Sequence, residues 1–279
     1  MFSGESVEYF YRVLADHYHQ MYADWKSEVL RQGDVLDALI RSLISPAPCA
    51  VLDCTCGIGT QAIGLAAKNY RVHATDLVAA AVDRARDEAR AFGVTVTFDV
   101  ADVRALDARV TGTFDAVVSF DNAVSHLLED ADLLAAAGQM RQRLRKDGLV
   151  LISIRDYDQV IQEKRRSAEE RPLPGVLAGT GPLAQPTMPR VFDDASGRRV
   201  IFQIWDWAED ERSYRVNHFH LVEKKGVWET SCYVTRFRAI QRDDLAAILR
   251  AAGFSDIRWL MPAESGYYQP VVVAYNRKD

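Results

Sequence analysis

A glycine-rich segment near residue 55 carries the clearest chemical signal in the chain. Residues 51–60 read VLDCTCGIGT, which is typical of a strand that passes through a Gly-rich loop into a helix. Gly57 and Gly59 let the backbone approach a ligand, and the free N–H groups of the following helix N-terminus can bind an anion. The segment therefore predicts a cofactor loop, with Asp53 and Cys54 at its start.

Two kinds of cofactor fit a loop of this form. The pattern Gly57-x-Gly59-x-x-Ala62 matches the dinucleotide fingerprint, but there the pyrophosphate lies against the loop, where the carboxylate of Asp53 would repel it. S-adenosylmethionine carries an ammonium and a sulfonium, so the same carboxylate favours it, while the helix N-terminus can bind its carboxylate. We therefore expect S-adenosylmethionine as the cofactor and S-adenosylhomocysteine as the product.

Two further acids follow the next two predicted strands. Asp76 lies 19 residues beyond Gly57, which is the place and spacing for an acid that hydrogen-bonds ribose hydroxyls, and Asp102 is placed to accept from the adenine amino group. Asp53 could instead cap the following helix, and Asp76 could be a turn residue, but three acids at successive strand ends favour a cofactor site. The predicted cofactor-binding residues are Asp53, Cys54, Gly57, Gly59, Asp76, Leu77, Asp102, Val103 and Phe120.

The cysteines do not indicate a metal or redox site. Cys54 and Cys56 form a C-x-C pair inside the cofactor loop, without the second ligand pair and the C-x-x-C spacing of a zinc site. With Cys49 and Cys232 they are too few for a disulfide framework. We expect buried structural thiols and no metal.

Alternating strand and helix patterns must position these residues. The segments 50–53, 70–75, 94–99, 114–120 and 149–154 read as strands, and the helical patterns at 60–68, 78–92 and around Leu133, Ala137, Met140 and Leu144 lie between them, with Gly148 as a helix stop. Together with two C-terminal strands, at 257–261 and 271–275, this order predicts an α/β fold with a doubly wound, mostly parallel seven-stranded sheet.

The remaining chain reads as additions to this sheet. Residues 161–189 read as an exposed connection, residues 198–238 as three antiparallel strands, and Asp243 as the cap of a last helix before strands at 257–261 and 271–275. The predicted domains are an N-terminal helical arm at 1–45, a cofactor-binding core at 46–158, an antiparallel β lid at 159–240, and a C-terminal helix and strands at 241–279.

Residues 50–155 resemble the class I S-adenosylmethionine-dependent methyltransferases, although Thr55 stands where the commonest motif has Gly. The stretches FDAVV at 114–118, NAVSHL at 122–127, IRDYD at 154–158 and YHQMYADW at 18–25 look like the glycine and glycine/sarcosine N-methyltransferases. This resemblance implies that Arg155 binds the substrate carboxylate, that Asn122 lies beside the reacting amine, and that His126 lies near the cofactor. These three are the predicted catalytic residues.

The same resemblance implies that the N-terminal arm closes the substrate pocket. The predicted substrate-binding residues are Tyr18, Tyr22, Trp25, Asn122, Arg155 and Tyr157. Aromatic side chains of the lid could face developing ammonium charge, although core packing is their more usual role. Arg155 could alternatively pair with Asp156 or Asp158, and His126 could be structural.

Composition narrows the remaining classes of function. The 279 residues carry a formal net charge of −5, without the basic surplus typical of a nucleic-acid binder. No apolar run approaches the length of a spanning helix, and the N-terminus MFSGESVEYF does not read as a signal peptide, so we expect a cytoplasmic protein with no membrane partner. A homo-oligomer is compatible with the sequence.

Three functions are compatible with the sequence. The first is an S-adenosylmethionine-dependent N-methyltransferase that acts on a small amine with a carboxylate, such as glycine or sarcosine, by in-line methyl transfer. The second is an N- or O-methyltransferase of a natural product. The third is a catalytically silent protein that only binds S-adenosylmethionine.

Overall fold

The computed structural model describes residues 6–15, 17–44, 50–169, 184–194 and 197–277. The chain forms two compact units, each built from separate stretches of sequence. The larger unit comprises residues 15–156 and 240–279, and the smaller unit comprises residues 1–14 and 157–239. None of the helices in the described ranges is both long enough and apolar enough to cross a membrane.

The larger unit is built on one seven-stranded sheet. Its strands are β1 (Ala50–Asp53), β2 (Arg71–Asp76), β3 (Val96–Val100), β4 (Phe114–Ser119), β5 (Leu144–Ser153), β11 (Ser255–Leu260) and β12 (Val271–Tyr275). They lie in the order β11-β12-β5-β4-β1-β2-β3. β1 to β5 are parallel, and β12 is antiparallel to both of its neighbours. The doubly wound, mostly parallel seven-stranded sheet predicted from the sequence is confirmed.

Helices accompany this sheet along the chain. They are α2 (Trp25–Leu43), α3 (Thr60–Ala66), α4 (Ala79–Phe92), α5 (Asp130–Gln142), α7 (Arg242–Ala251) and the short α8 (Pro262–Ser265). All four residues of β1 are buried, and two apolar clusters contain alternate residues of the central strands, such as Leu52 in one and Val51 in the other. Burial on both faces explains why the central strands are almost wholly apolar rather than alternating.

The strand order reverses at β1, and this places the site. From β1 the chain adds β2 and β3 on one side, then returns to add β4 and β5 on the other. In open α/β sheets, ligands bind at the carboxyl ends of the strands where the order reverses. Here those ends are Asp53 of β1 and the residues that follow Ser119 of β4.

In the part that the structure describes, the smaller unit is an antiparallel sheet with two helices. It contains β6 (Ala184–Pro186), β7 (Arg190–Asp194), β8 (Gly197–Trp207), β9 (Ser213–Lys224) and β10 (Val227–Arg238), with α1 (Val7–Leu14) and α6 (Tyr157–Glu169). The three long strands confirm the antiparallel prediction for 198–238. Their aromatic residues form an apolar cluster around Tyr214, which contacts Trp205, Trp207 and Phe237.

Two helix boundaries predicted from the sequence are wrong. Gly148 does not stop a helix, because α5 ends at Gln142 and Gly148 lies inside β5, where a Cβ would come within 2.9 Å of the Asp115 carbonyl oxygen on β4. Leu144, which fits the helical pattern, is the first residue of β5. Asp243 is not the cap of α7, because Gln241 is the N-cap and Asp243 lies in the first turn, where its charge favours the helix dipole.

The predicted connection at 161–189 is also wrong in its first part. α6 continues to Glu169, so the charged residues 161–169 are helical. Residues 170–183 lie outside the described residues, as do Cys49 and the predicted break at 45–48. The predicted arm at 1–45 is divided between the units, since α1 belongs to the smaller unit and α2 to the larger one.

Candidate functional site

The loop between β1 and α3 has the geometry of a ligand cradle. Gly57 and Gly59 both have positive φ angles, 53° and 93°, which favour glycine. A Cβ on Gly57 would meet nothing within 4 Å, so the backbone there faces open space. The Cys56 N–H donates to the Thr75 carbonyl oxygen at 2.9 Å and thereby ties the loop to β2.

Asp53 is buried at the end of β1. Its Oδ1 accepts from the Thr55 N–H at 3.3 Å, and the Ala62 N–H in α3 also acts on the carboxylate and lowers its pKa. The buried Oδ2 has no partner at normal hydrogen-bond geometry within the described residues. Burial, together with the charges of Asp76 and Asp121, raises the pKa of Asp53 to about 8. A buried acceptor without a donor fits a cationic ligand, since a nearby cation would stabilise the ionised carboxylate.

Asp76 at the end of β2 holds the cofactor loop in place. Its Oδ2 accepts from the Gly57 N–H at 2.8 Å and its Oδ1 accepts from the Val78 N–H at 2.9 Å. Burial raises the pKa of Asp76, and backbone donors at Val78, Gly57 and Leu77 oppose that effect. Leu77 beside it is an exposed apolar side chain. Asp76 thus brings the second strand end and the Gly57 loop together, and its binding of ribose stays a prediction.

Asp102 is already engaged by a neighbouring arginine. Its carboxylate accepts from the Arg104 backbone N–H at 2.8 Å and from the Arg104 guanidinium at 2.6 Å, and these bonds lower the pKa of Asp102. Arg104 also bonds Asp132. An adenine contact from Asp102 would therefore share the carboxylate with Arg104. Val103 is half-buried at the start of the following 3-10 turn.

The two loop cysteines are buried thiols. The Cys54 Sγ–H donates to the Val118 carbonyl oxygen at 3.3 Å, and burial raises the pKa of both Cys54 and Cys56 well above the usual value. Protonated thiols at these positions suit packing rather than metal binding. Among the described residues, no group of three His, Cys, Asp or Glu side chains is arranged to hold a metal ion.

The turn after β4 brings two predicted residues together. The Asn122 Oδ1 accepts from the Arg155 backbone N–H at 3.0 Å and from the Ser125 hydroxyl at 2.8 Å. Arg155 follows β5, so this bond joins the ends of two neighbouring strands. His126 ends the 3-10 turn Ala123–His126 that follows Asn122 and is half-buried.

A polar cluster that the sequence analysis did not identify surrounds Asp121. The Asp121 Oδ1 accepts from the hydroxyls of Tyr267 and Tyr268, the latter at 2.6 Å, and its Oδ2 accepts from the Gln61 amide at 2.9 Å. Gln32 on α2 accepts from the Gln61 amide, and its Oε1 lies 3.1 Å from the Tyr267 hydroxyl. Burial and Asp121 raise the pKa of Tyr267, so this phenol stays a donor. Asp121 is a fourth acid at a strand end, and that signal could have identified it.

The predicted substrate aromatics have different environments. Tyr18 and Tyr22 lie with their ring centroids 6.3 Å apart, and burial followed by the charge of Asp121 raises the pKa of Tyr22. Trp25 is buried against Phe92, and its indole N–H donates to the Thr60 hydroxyl at 3.2 Å, so its contacts are those of a core residue. Tyr157 is fully buried in the smaller unit, with its hydroxyl 2.9 Å from that of Tyr214.

Phe120, the last predicted cofactor residue, is buried next to Asp121. Its ring makes an edge contact with Tyr267 at a centroid distance of 4.8 Å. It therefore supports the Asp121 cluster from the side of β4.

Comparisons with known proteins find similarities to methyltransferases. Residues 51–148 match a family model described as "Methyltransferase domain". A glycine/sarcosine N-methyltransferase of Parasynechococcus marenigrum (strain WH8102) is 28% identical over 53% of this chain and 55% of its own length, so this match spans about half of that relative. A second one, from Aphanothece halophytica, is 23% identical over 91% of this chain and 88% of its own length.

A solved structure shares the fold over nearly the full length. It is an amino pentose methyltransferase from Micromonospora echinaspora with bound S-adenosylmethionine. The two sequences are 20% identical, and the superposition has a TM-score of 0.67 and covers 95% of this chain and 96% of that chain. Residues 51–148 thus match a methyltransferase domain, and the chain resembles the glycine/sarcosine N-methyltransferases.

Proposed function

We propose that this protein is an S-adenosylmethionine-dependent N-methyltransferase that acts on a small amine carrying a carboxylate, with glycine or sarcosine as the first candidates. The observation that carries the proposal is the bond from the Arg155 N–H to the Asn122 Oδ1. It holds a strand-end arginine beside the end of β4, at the reversal point of the sheet where the Gly57 loop also lies. The sequence similarity to glycine/sarcosine N-methyltransferases supports the same substrate class.

The residues at the ends of β1 and β2 would hold the cofactor. S-adenosylmethionine supplies, when bound, a methyl group activated by a positively charged sulfur. Asp53 offers its buried Oδ2 to positive charge, and Asp76, already bonded to the Gly57 N–H, would orient the ribose. Leu77 and Val103 would add apolar contact to the adenine. The N-terminus of α3 would face the methionine carboxylate.

The residues at the ends of β4 and β5 would hold the acceptor. A guanidinium binds a carboxylate through two parallel hydrogen bonds, which orients the bound molecule as well as attracting it. Arg155 would therefore fix the carboxylate and leave the amine directed at the methyl group. Such in-line transfer depends mainly on orientation, which can lower the barrier by several kcal/mol, about 7 to 11 in the best intramolecular cases.

A second candidate acceptor is an amino sugar. The amino pentose methyltransferase shares this fold over nearly its whole length and is named for a substrate class that has an amine. A sugar without a carboxylate has no use for Arg155 as a carboxylate ligand, so the response to Arg155 substitution separates the two acceptors. A protein that only binds the cofactor would transfer no methyl group to either.

The decisive experiment is a methyl-transfer assay with mass detection of product. The acceptors are glycine, sarcosine, dimethylglycine, a nucleotide-linked amino sugar and a phenol. For glycine or sarcosine, Arg155→Leu should raise KM by about 100-fold, because a charge-assisted bidentate contact of roughly 3 kcal/mol is lost. The KM of Arg155→Lys should lie between the values for wild type and Arg155→Leu. The Kd for S-adenosylhomocysteine should stay within about twofold of the wild-type value.

Three results would contradict the proposal. Turnover of the amino sugar alone would favour the second candidate, and binding of S-adenosylhomocysteine without turnover of any acceptor would favour a silent protein. Unchanged glycine and sarcosine kinetics in Arg155→Leu would remove the role given to Arg155.

A further inference from the structure

Asn122 has little capacity left to bind an acceptor amine through its carbonyl oxygen. The Asn122 Oδ1 accepts from the Arg155 N–H at 3.0 Å and from the Ser125 hydroxyl at 2.8 Å. An amide oxygen has two lone pairs, so these two donors satisfy it. An amine held beside Arg155 needs another acceptor, and the residue before Asn122 is a carboxylate.

Asp121 is held in a rare backbone conformation. Asp121 and Asn122 have φ angles of 57° and 68°, so two successive non-glycine residues lie in the left-handed region. Each such residue costs about 1–2 kcal/mol, and pairs of this kind persist where the surrounding contacts enforce them. The Asp121 N–H donates to the Ser153 hydroxyl at 2.8 Å, which anchors the strained turn to the end of β5.

The contacts of Asp121 orient its carboxylate and leave acceptor capacity. Two phenols, from Tyr267 and Tyr268, donate to Oδ1, while among the described residues Oδ2 accepts only from the Gln61 amide. A carboxylate has about four lone-pair positions, so Oδ2 can accept one more bond. All three donors are neutral, so the cluster binds the carboxylate without neutralising its charge.

Tyr268 lies near charges of both signs, those of Asp121 and Arg155. Burial of the hydroxyl and the charge of Asp121 raise the pKa of Tyr268, whereas the positive charge of Arg155 acts in the opposite direction, so both ionic groups lie near the same phenol. Tyr268 is 53% exposed as a residue, while its hydroxyl bonds Asp121. A cation next to this carboxylate can therefore also contact an accessible aromatic ring. An amino acid has the matching pair of charges.

We propose that Asp121 is the residue that binds the amine of the acceptor, and that it selects an amine where Arg155 selects a carboxylate. This inference rests on the proposed function. Its Oδ2 accepts a hydrogen bond from the acceptor nitrogen, and Tyr268 presents its ring to the same group. Tyr267 and Gln61 are positioning residues, because they act through the carboxylate.

The test compares an acceptor that has an amine with one that lacks it. Wild type and Asp121→Asn, each saturated with S-adenosylhomocysteine, are titrated by calorimetry near neutral pH with sarcosine and with acetate. Asp121→Asn should weaken sarcosine binding by about 10- to 100-fold, the usual effect of losing a charge-assisted hydrogen bond, and change acetate binding by less than about twofold. Asp132→Asn, an acid bonded to Arg104, serves as the matched control and should change neither.

Other outcomes would overturn the assignment. A rise in the Kd for S-adenosylhomocysteine in Asp121→Asn would indicate that Asp121 binds the cofactor. An equal loss of affinity for sarcosine and acetate would indicate a structural role. Unchanged affinities would show that Asp121 does not bind the amine. If Asp121→Asn does not fold, Tyr268→Phe takes its place, with an expected loss of about 3- to 10-fold for sarcosine and none for acetate. An equal response to both ligands in that variant would also reject the proposal.

The wild-type titration separates this inference from the proposed function. Wild type that binds neither sarcosine nor acetate contradicts the amine-with-carboxylate acceptor, and the inference falls with it. If wild type binds both sarcosine and acetate, and the variants change the two affinities equally, only the role of Asp121 is contradicted and the proposed function stands.

Discussion

At the scale of single residues, the ionisation of Asp53 links the fold to cofactor binding. Its carboxyl group is buried beside two other acids, and its pKa is raised to about 8. Because this value lies above that of the unfolded chain, folding favours the protonated form. The stabilising effect is fully present below the unfolded pKa of 3.8 and is lost as the pH rises through about 8.

The ligand-free protein should therefore lose stability as the pH rises from about 4 to about 8, and Asp53→Asn should remove this contribution to the loss. A cationic ligand reverses the preference, because it stabilises the ionised carboxylate. The affinity for S-adenosylmethionine should thus rise with pH up to about 8 in the wild type, by at most tenfold per pH unit, and stay nearly flat in Asp53→Asn. Thermal unfolding and calorimetric titration across this range measure both effects.

Asp87→Asn is the control for this pair of measurements. Asp87 is an exposed acid of α4 that pairs with Arg90, so its substitution should leave both pH profiles unchanged. A wild-type affinity that falls as the pH rises towards 8 would contradict a role for Asp53 in binding positive charge.

At the scale of elements, two glycines allow α2 to contact α3 closely. A Cβ on Gly33 would lie 2.6 Å from the Gly64 carbonyl oxygen, and a Cβ on Gly64 would lie 2.6 Å from the Val29 carbonyl oxygen. Both helices carry residues of the Asp121 cluster, Gln32 on α2 and Gln61 on α3. The helix contact thus sets the distance between two side chains of the site.

Gly33→Ala should destabilise the protein by about 1–3 kcal/mol, because the new methyl group meets backbone that must move apart. It should also weaken acceptor binding, since Gln32 and Gln61 would separate. The matched control is Gly138→Ala in α5, where a Cβ meets nothing within 4 Å, and it should be neutral or stabilising by about 1 kcal/mol. Chemical denaturation of the two variants makes the comparison, and equal stabilities would refute the close contact.

At the scale of the whole molecule, the two units have separate cores. The smaller unit depends on the aromatic cluster around Tyr214, whereas the proposed cofactor residues belong to the larger unit. The chain passes between the units three times, near residues 14, 156 and 239. Stability can therefore differ between the units.

Tyr214→Ala should destabilise the smaller unit by about 3–5 kcal/mol, the usual cost of removing a buried aromatic side chain. Hydrogen exchange should rise in β8, β9 and β10, while the central strands of the larger unit stay protected. S-adenosylhomocysteine binding should change by less than about twofold. The control Val227→Ala, at an exposed position of β10, should alter neither hydrogen exchange nor S-adenosylhomocysteine binding. If Tyr214→Ala instead lowers protection equally in both units, the units unfold as one.

The sequence by itself determined the features that depend on neighbours along the chain. A buried strand, a Gly-rich loop and an acid at the strand end lie within ten residues at 50–59, so periodicity and residue type were enough to predict β1, the loop and Asp53. The alternation of such units was enough to predict the parallel sheet. The same reasoning placed Asp76 beside the loop, and its bond to the Gly57 N–H agrees with that placement.

Only the tertiary structure decided the features that depend on residues distant in the chain. Gly148 follows a helical pattern, yet the approach of Asp115 on β4 makes it part of a strand. Asp121 meets Gln61 across 60 residues and Tyr267 across 146, and no local pattern predicts such meetings. Local sequence is enough to predict acids at strand ends, because each acid directly follows its strand. The donors that orient those acids lie on segments distant in the chain, and only the fold brings them there.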